Sequence, residues 1–151
     1  CEARRYYFNI VGRYGAQVQK VLKAAAELDI DTICPLHGPI LTENLAYYMD
    51  LYDKWSSYTP EDEGICIAYT SVYGNTKKAA EMLADELKAR GVDIVEISDL
   101  ARCDMAEAVE DAFRYDRMVL CASSDDAGVF LPMHDFLTHL SYKAYHEALH
   151  R

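Results

Sequence analysis

The chemistry-bearing residues of this sequence crowd into "TSVYGNT", residues 70–76, where an apolar run hands over to a helical one. Ser71, Asn75 and Thr76 carry side-chain donors, and Gly74 lets the chain turn tightly and a ligand approach closely. At a strand-to-helix junction, backbone N–H groups converge at the positive end of a helix dipole, so such a stretch is suited to an anion. An ordinary helix cap needs only one Ser or Thr, and this stretch holds several such groups around one glycine. A phosphate site is the expectation.

The elements around it must be able to hold it. "ICIAYT" reads as a strand, a helix is expected from about Asn75 to Arg90 with Gly91 as its C-terminal cap, and "VDIVEI" reads as a second strand. A helix over about Asp104 to Phe113, the strand "RMVLCAS", a loop "SDDAGVFL" and a helix opened by Pro132 complete the pattern. The strands "ICIAY" and "MVLCA" are apolar throughout, as strands covered on both faces must be. The expected fold class is α/β, an incomplete, doubly wound parallel sheet of three strands, and ligands bind such sheets beyond the carboxyl ends of the strands.

Upstream of the seam "SSYTPEDEG", residues 56–64, the sequence is also patterned. "RRYYFNIV" reads as a short strand, and "GAQVQKVLKAAAELDI" places Val18, Val21, Leu22, Ala25 and Leu28 on one helical face. "DTICPLHGPIL" reads as an apolar strand ending in a turn at Pro35, Gly38 and Pro39, and a further helix starts near Thr42 or Glu43. This half is expected to be mixed α/β.

Composition narrows the function classes. The chain has 151 residues, 51% of them hydrophobic, and a formal charge of -10, which argues against a nucleic-acid partner. No run approaches the ~20 apolar residues of a membrane span, so no membrane partner and a cytoplasmic location are expected. The five cysteines lack paired spacing, and Cys34, Cys66 and Cys121 sit in apolar runs as expected core thiols. The first residue is Cys1 rather than methionine, from which a chain cut from something longer is expected.

Which phosphate the loop takes follows from what it lacks. Neither G-x-x-x-x-G-K-[ST] nor G-x-G-x-x-G is present, and the loop itself has no lysine or arginine. Hydroxyls and amides must hold the anion, as flavodoxins hold the monophosphate of FMN.

"SVYGNTKKAA" resembles the phosphate loop, S-M-Y-G-N-T, of the flavodoxin domain in flavodiiron proteins, the A-type flavoproteins. "RRYYFNIV", "ICPLHGPI" and "YDKWSSYTPE" resemble the end of that family's metallo-β-lactamase-like domain and its linker, and "GVFLPMHDFLTHL" the region after its second flavin loop. The resemblance implies that residues 1–58 are the C-terminal α/β part of a metallo-β-lactamase-like diiron domain, 59–63 a linker, and 64–151 a flavodoxin-like FMN-binding domain that stops before its fourth strand. It implies an oxidoreductase passing electrons from rubredoxin or a flavin reductase through FMN to a non-haem diiron site, which reduces O2 to water or NO to N2O. A head-to-tail homodimer, with the FMN of one subunit near the irons of the other, is implied in the same way.

Carried over by resemblance, Ser71, Val72, Tyr73, Gly74, Asn75 and Thr76 cradle the FMN phosphate. His37 matches the family's last histidine ligand to iron; read alone, a histidine in a Pro-Gly turn is an ordinary loop residue. One imidazole cannot hold two irons, so these residues by themselves are expected to be metal-free and inactive. The second flavin loop departs from the family's S-P-T-Y-N-N-G: Ser124 and Gly128 fit, while Asp125 and Asp126 replace a tyrosine and an asparagine. Two acids near the ring would lower the flavin potential or weaken FMN affinity by like-charge repulsion, unless both simply face solvent. A third flavin loop is expected to be absent. "MVLCA" is then expected to be an open edge, leaving residues 1–151 alone poorly soluble or associating. Other readings from the same residues are a flavodoxin-like electron carrier and a non-catalytic remnant.

Overall fold

The computed structural model describes residues 2–145; Cys1 and residues 146–151, on which the first-residue reading and the end of the second domain depend, lie outside the described residues. Helix α1 (Glu2–Tyr6) continues as a π-helical turn (Tyr7–Val11) and a 3-10 turn (Gly12–Tyr14) into α2 (Gly15–Ala25), followed by α3 (Leu45–Ser56). Then come β1 (Asp62–Tyr69), α4 (Asn75–Ala89), β2 (Val95–Asp99), α5 (Met105–Arg114) and β3 (Tyr115–Cys121). A hairpin of β4 (Ser124–Asp125) and β5 (Gly128–Val129) precedes α6 (Leu131–Tyr142).

β1 lies between β2 and β3, parallel to both, with Tyr69 opposite Asp99 on one side and Cys121 on the other. Alternation along β1 sends Ile65, Ile67 and Tyr69 into a core with Ala80 and Ala84 of α4. Ala68 joins Ala108, Val109 and Phe113 of α5 and Met133 and Phe136 of α6. Helices therefore cover both faces of β1, which is buried as expected, whereas β3 at the edge of the sheet is only partly buried, with Leu120 exposed. The loop-to-helix joints follow local chemistry: Asp104 caps α5 by accepting from the Ala106 N–H at 2.8 Å, Gly91 leaves α4 at φ +88°, and Pro132 sits in the first turn of α6.

The upstream half differs from its expected pattern. "RRYYFNIV" is helical rather than a strand. A strand would point Tyr7 and Phe8 to opposite sides, yet both are buried, with Arg4 and Val11 beside the same core. Spacings of three, four and seven from Arg4 define one face of a helix. Phe8 stacks on Phe113 with ring centroids 4.3 Å apart, and Tyr7 meets Trp55 at 5.4 Å. The segment "DTICPLHGPIL" is not a strand either: one antiparallel bridge joins Ile33 to Leu41, through two backbone bonds of 2.9 Å.

Three smaller corrections have the same origin. Cys34 is exposed where a core thiol was expected, because its segment forms an isolated bridge rather than a strand of the sheet, whereas Cys66 is buried and Cys121 partly so. Val21 and Leu28 are exposed, the latter beyond the end of α2, so the α2 stripe is narrower than its apolar residues indicate. Helix α3 starts at Leu45, after Asn44 at φ +55°, rather than at Thr42 or Glu43. Tyr7, Phe8, Leu51 and Trp55 share one core with α5 and α6, so the packing is continuous across the acidic seam.

Candidate functional site

Two loops leave adjacent strands at the carboxyl edge of the sheet. The first follows β1. Its root is fixed by the backbone, with the Thr70 N–H donating to the Cys121 carbonyl at 2.8 Å and the Leu100 N–H to that of Tyr69 at 2.9 Å. The chain then turns at Gly74, φ +89° and ψ -8°, a left-handed conformation that favours glycine. The Gly74 N–H donates to Ser71 Oγ at 3.0 Å, which holds the turn closed.

That bond refines the expected donor set. The Gly74 amide is already spent on Ser71, while the first N–H groups of α4, at Asn75, Thr76 and Lys77, have no carbonyl a turn earlier to serve. The helix ladder begins with the Lys78 N–H donating to Gly74 at 3.0 Å. A side chain added at Gly74 would meet nothing within 4 Å, so the space over the turn is open. Tyr73, at 91% exposure, and Val72 stand at its rim as unburied apolar surface.

The second loop follows β3 and is the hairpin β4–β5, with Ser124 opposite Val129 and Asp125 opposite Gly128. Asp126 (φ +46°) and Ala127 (φ +59°) form its tip, the pattern of a type I′ turn. Such turns favour Asn-Gly, so an Asp-Ala tip hid the hairpin from sequence reading. Asp125, Asp126 and Gly128 are exposed, as is Ser124. Thus Ser71 to Thr76 and Ser124 to Gly128 are placed at the ends of neighbouring strands.

Two residues escaped sequence reasoning. Thr70 Oγ1 and Ser123 Oγ are buried without a hydrogen-bond partner, one just past β1 and the other just past β3. Their position at strand ends was the available signal. Nearby, the Tyr69 hydroxyl donates to Asp99 Oδ2 at 3.2 Å, and Arg102 Nη1 reaches the same oxygen at 2.8 Å. Burial, and then the Asp99 charge, push the Tyr69 phenol up, so it stays protonated and donating.

The loop fits a phosphate monoester: helix-start amides, side-chain hydroxyls and open space over the glycine. His37 lies elsewhere, in an exposed turn with its ring 5.7 Å from that of Tyr6. Among the described residues no group of three or more His, Cys, Asp or Glu side chains could hold a metal. Nor is any helix among them long and apolar enough to cross a membrane.

The sheet order, the two covered faces and the glycine turn define the class, a flavodoxin-like α/β domain. Residues 66–139 match the flavodoxin domain family. The chain is 33% identical over 92 residues to an uncharacterized protein of Methanocaldococcus jannaschii, a match covering 61% of this chain and 23% of that one. It is 29% identical over 134 residues to the anaerobic nitric oxide reductase flavorubredoxin of an Enterobacter species, covering 87% of this chain and 27% of the relative. Its fold matches the flavodiiron protein of Giardia intestinalis with a TM-score of 0.86 at 19% identity, over 93% of this chain and 34% of that one. The rubredoxin oxygen:oxidoreductase of Desulfovibrio gigas matches with a TM-score of 0.82 at 21% identity, covering 93% and 35%. The resemblance to flavodiiron proteins thus holds in sequence and in fold. The chain spans about a quarter of the length of the curated relatives it matches.

Proposed function

We propose that this chain forms the FMN-binding part of a flavodiiron oxidoreductase. Residues 1–58 are read as the end of its metallo-β-lactamase-like domain, 59–63 as the connection and 64–151 as flavodoxin-like domain. One observation supports the reading above the others: β1 runs into a left-handed Gly74 whose turn is locked by Ser71, leaving the start of α4 open to an anion.

FMN, when bound, supplies one- and two-electron chemistry. The residues hold it and set its surroundings. The amides of Asn75, Thr76 and Lys77 and the hydroxyls of Ser71 and Thr76 would donate to the phosphate, which receives the positive end of the α4 dipole in place of a basic side chain. Ser124, Asp125, Asp126 and Gly128 would border the flavin from the second loop. Val72 and Tyr73 are exposed apolar surface able to cover it.

In the whole protein, electrons from a rubredoxin-type donor or a flavin reductase would reach a diiron centre to which His37 contributes one imidazole, for reduction of O2 or NO. The other ligands would come from outside this chain, and a cytoplasmic homodimer is the assembly proposed. An electron carrier without iron is the rival reading. Flavin titration of protein carrying this chain tests the first step: a micromolar FMN dissociation constant with weaker riboflavin binding is expected, and no flavin binding overturns it. Iron analysis of the same protein separates the oxidoreductase from the carrier.

A further inference from the structure

We propose that α1 and the π-helical turn after it form a rigid strut between the upstream helices and the flavodoxin-like sheet, so that the acidic seam is a fixed joint rather than a hinge. A connection between two domains is ordinarily free to move unless the faces that meet there are extensive and apolar. The faces that meet here are apolar and buried. Tyr7, Phe8 and Trp55 are at most 1% exposed, and they share one core with Val109 and Phe113 of α5 and Phe136 of α6. Opening the seam would return that surface to water.

Polar contacts close the same joint. Arg4 bridges Glu110 of α5 and Glu61 of the seam, and Asn9 Nδ2 donates to the Ala106 carbonyl at 3.2 Å. The seam has backbone partners on both sides: the Thr59 N–H donates to the Lys54 carbonyl at 2.8 Å, and the Glu61 N–H to the Arg114 carbonyl at 2.9 Å. The Tyr58 hydroxyl donates to the Gly12 carbonyl at 2.8 Å. A hinge needs a few residues whose backbone is free to change conformation, and these are engaged. Tyr6, on the more exposed side of the strut, meets the His37 ring at 5.7 Å. One short helix thus ties the His37 turn to the sheet that carries the two loops. For the reaction, this holds the proposed iron ligand and the proposed flavin loops of one chain in a fixed relation. That consequence rests on the reading of both sites given above; the joint itself does not.

Hydrogen exchange followed by mass spectrometry, in protein carrying this chain and over a series of urea concentrations, tests the joint. Peptides from α1 with the π-helical turn, α3, the seam, β1 and α5 are expected to share one protection factor and one dependence on urea, the behaviour of a single cooperative unit. Arg4→Met should lower protection in α1 and in β1 together, by about a hundred-fold, in line with loss of one partner of a buried ion pair. A seam or α1 that exchanges about a hundred-fold faster than β1, with no response to urea, would overturn the proposal by revealing a local opening. So would an Arg4→Met loss confined to α1 and α3. Should Arg4→Met not fold, Tyr58→Phe removes the bond to the Gly12 carbonyl, and an equal loss of about five-fold on both sides of the seam is expected. A loss on one side alone would again be a hinge. Protein that takes up neither iron nor FMN fails differently, removing the consequence for the reaction and leaving the shared protection intact.

Discussion

Arg4 and Glu110 form a buried ion pair across 106 positions of sequence, with Nε 3.1 Å from Oε2. The same guanidinium reaches Glu61 Oε2 at 2.8 Å, and Glu61 in turn accepts from Trp55 Nε1 at 2.5 Å. One cation thus ties α1, α3, the approach to β1 and α5 together. Burial raises the Glu110 carboxyl above its ordinary value, against the opposing pull first of Arg4 and then of Arg114.

Removing Arg4 takes the guanidinium away from two carboxylates inside the protein, Glu61 and Glu110. Arg4→Met is expected to destabilise the fold by about 3 kcal/mol in urea titrations. Replacing Glu110 as well, by leucine, should recover at least half of that loss. Equal instability of the single and double variants would mean that packing of the arginine stem, rather than its charge, matters.

Gly15 opens α2 where that helix presses on the end of α3. A Cβ there would collide with the Ser56 carbonyl oxygen, a backbone atom that cannot step aside. Gly15→Ala should cost about 2 kcal/mol by thermal melting, through overpacking. At Gly12 the nearest atom to an added Cβ is Phe8 Cδ1 at 3.5 Å, so Gly12→Ala is the control and should change stability by less than about 1 kcal/mol.

Asp111 carries a pH-dependent term. Its carboxyl is pushed up to about 6 from an ordinary 3.8, first by burial and then by Glu110 and Glu96, against the pull of Arg114 and Arg4. The folded state therefore binds this proton more tightly than the unfolded one, and stability attributable to Asp111 falls as pH rises from about 4 to about 6. Asp111→Asn should match wild type near pH 3.5 and exceed it by about 1 kcal/mol at pH 7, a figure reduced for the partial exposure of the group. A pH-independent difference between the two would contradict this assignment.

On the second loop, Asp125 and Asp126 place two charges at a hairpin tip beside the proposed flavin edge. In FMN-loaded protein, Asp125→Tyr with Asp126→Asn should raise the flavin midpoint potential in spectroelectrochemical titration or tighten FMN binding. Asparagine tolerates the left-handed backbone of position 126, so the turn itself should persist. No change in potential or affinity would mean that the acids serve only as solvated surface.

Much of the downstream half was legible. β1, α4 and the turn between them announce themselves through an apolar run, a helical period and one glycine, all of them short-range signals. The upstream half was harder because "RRYYFNIV" contains five residues that suit a strand, and its helical face shows only when Arg4 is counted among the buried positions. Arginine is rarely interior, and no local pattern states that Glu61 and Glu110 will be there to receive it.

The amino-acid order alone determined the strand, the Ser71 to Thr76 turn and the helix start, because their geometry depends on neighbours within a few positions. Only the tertiary structure decided that Arg4 is buried between two carboxylates and that Thr70 has an unpaired hydroxyl. Both depend on which distant segments exclude water from a given atom, and that exclusion exists only once the chain has closed around it.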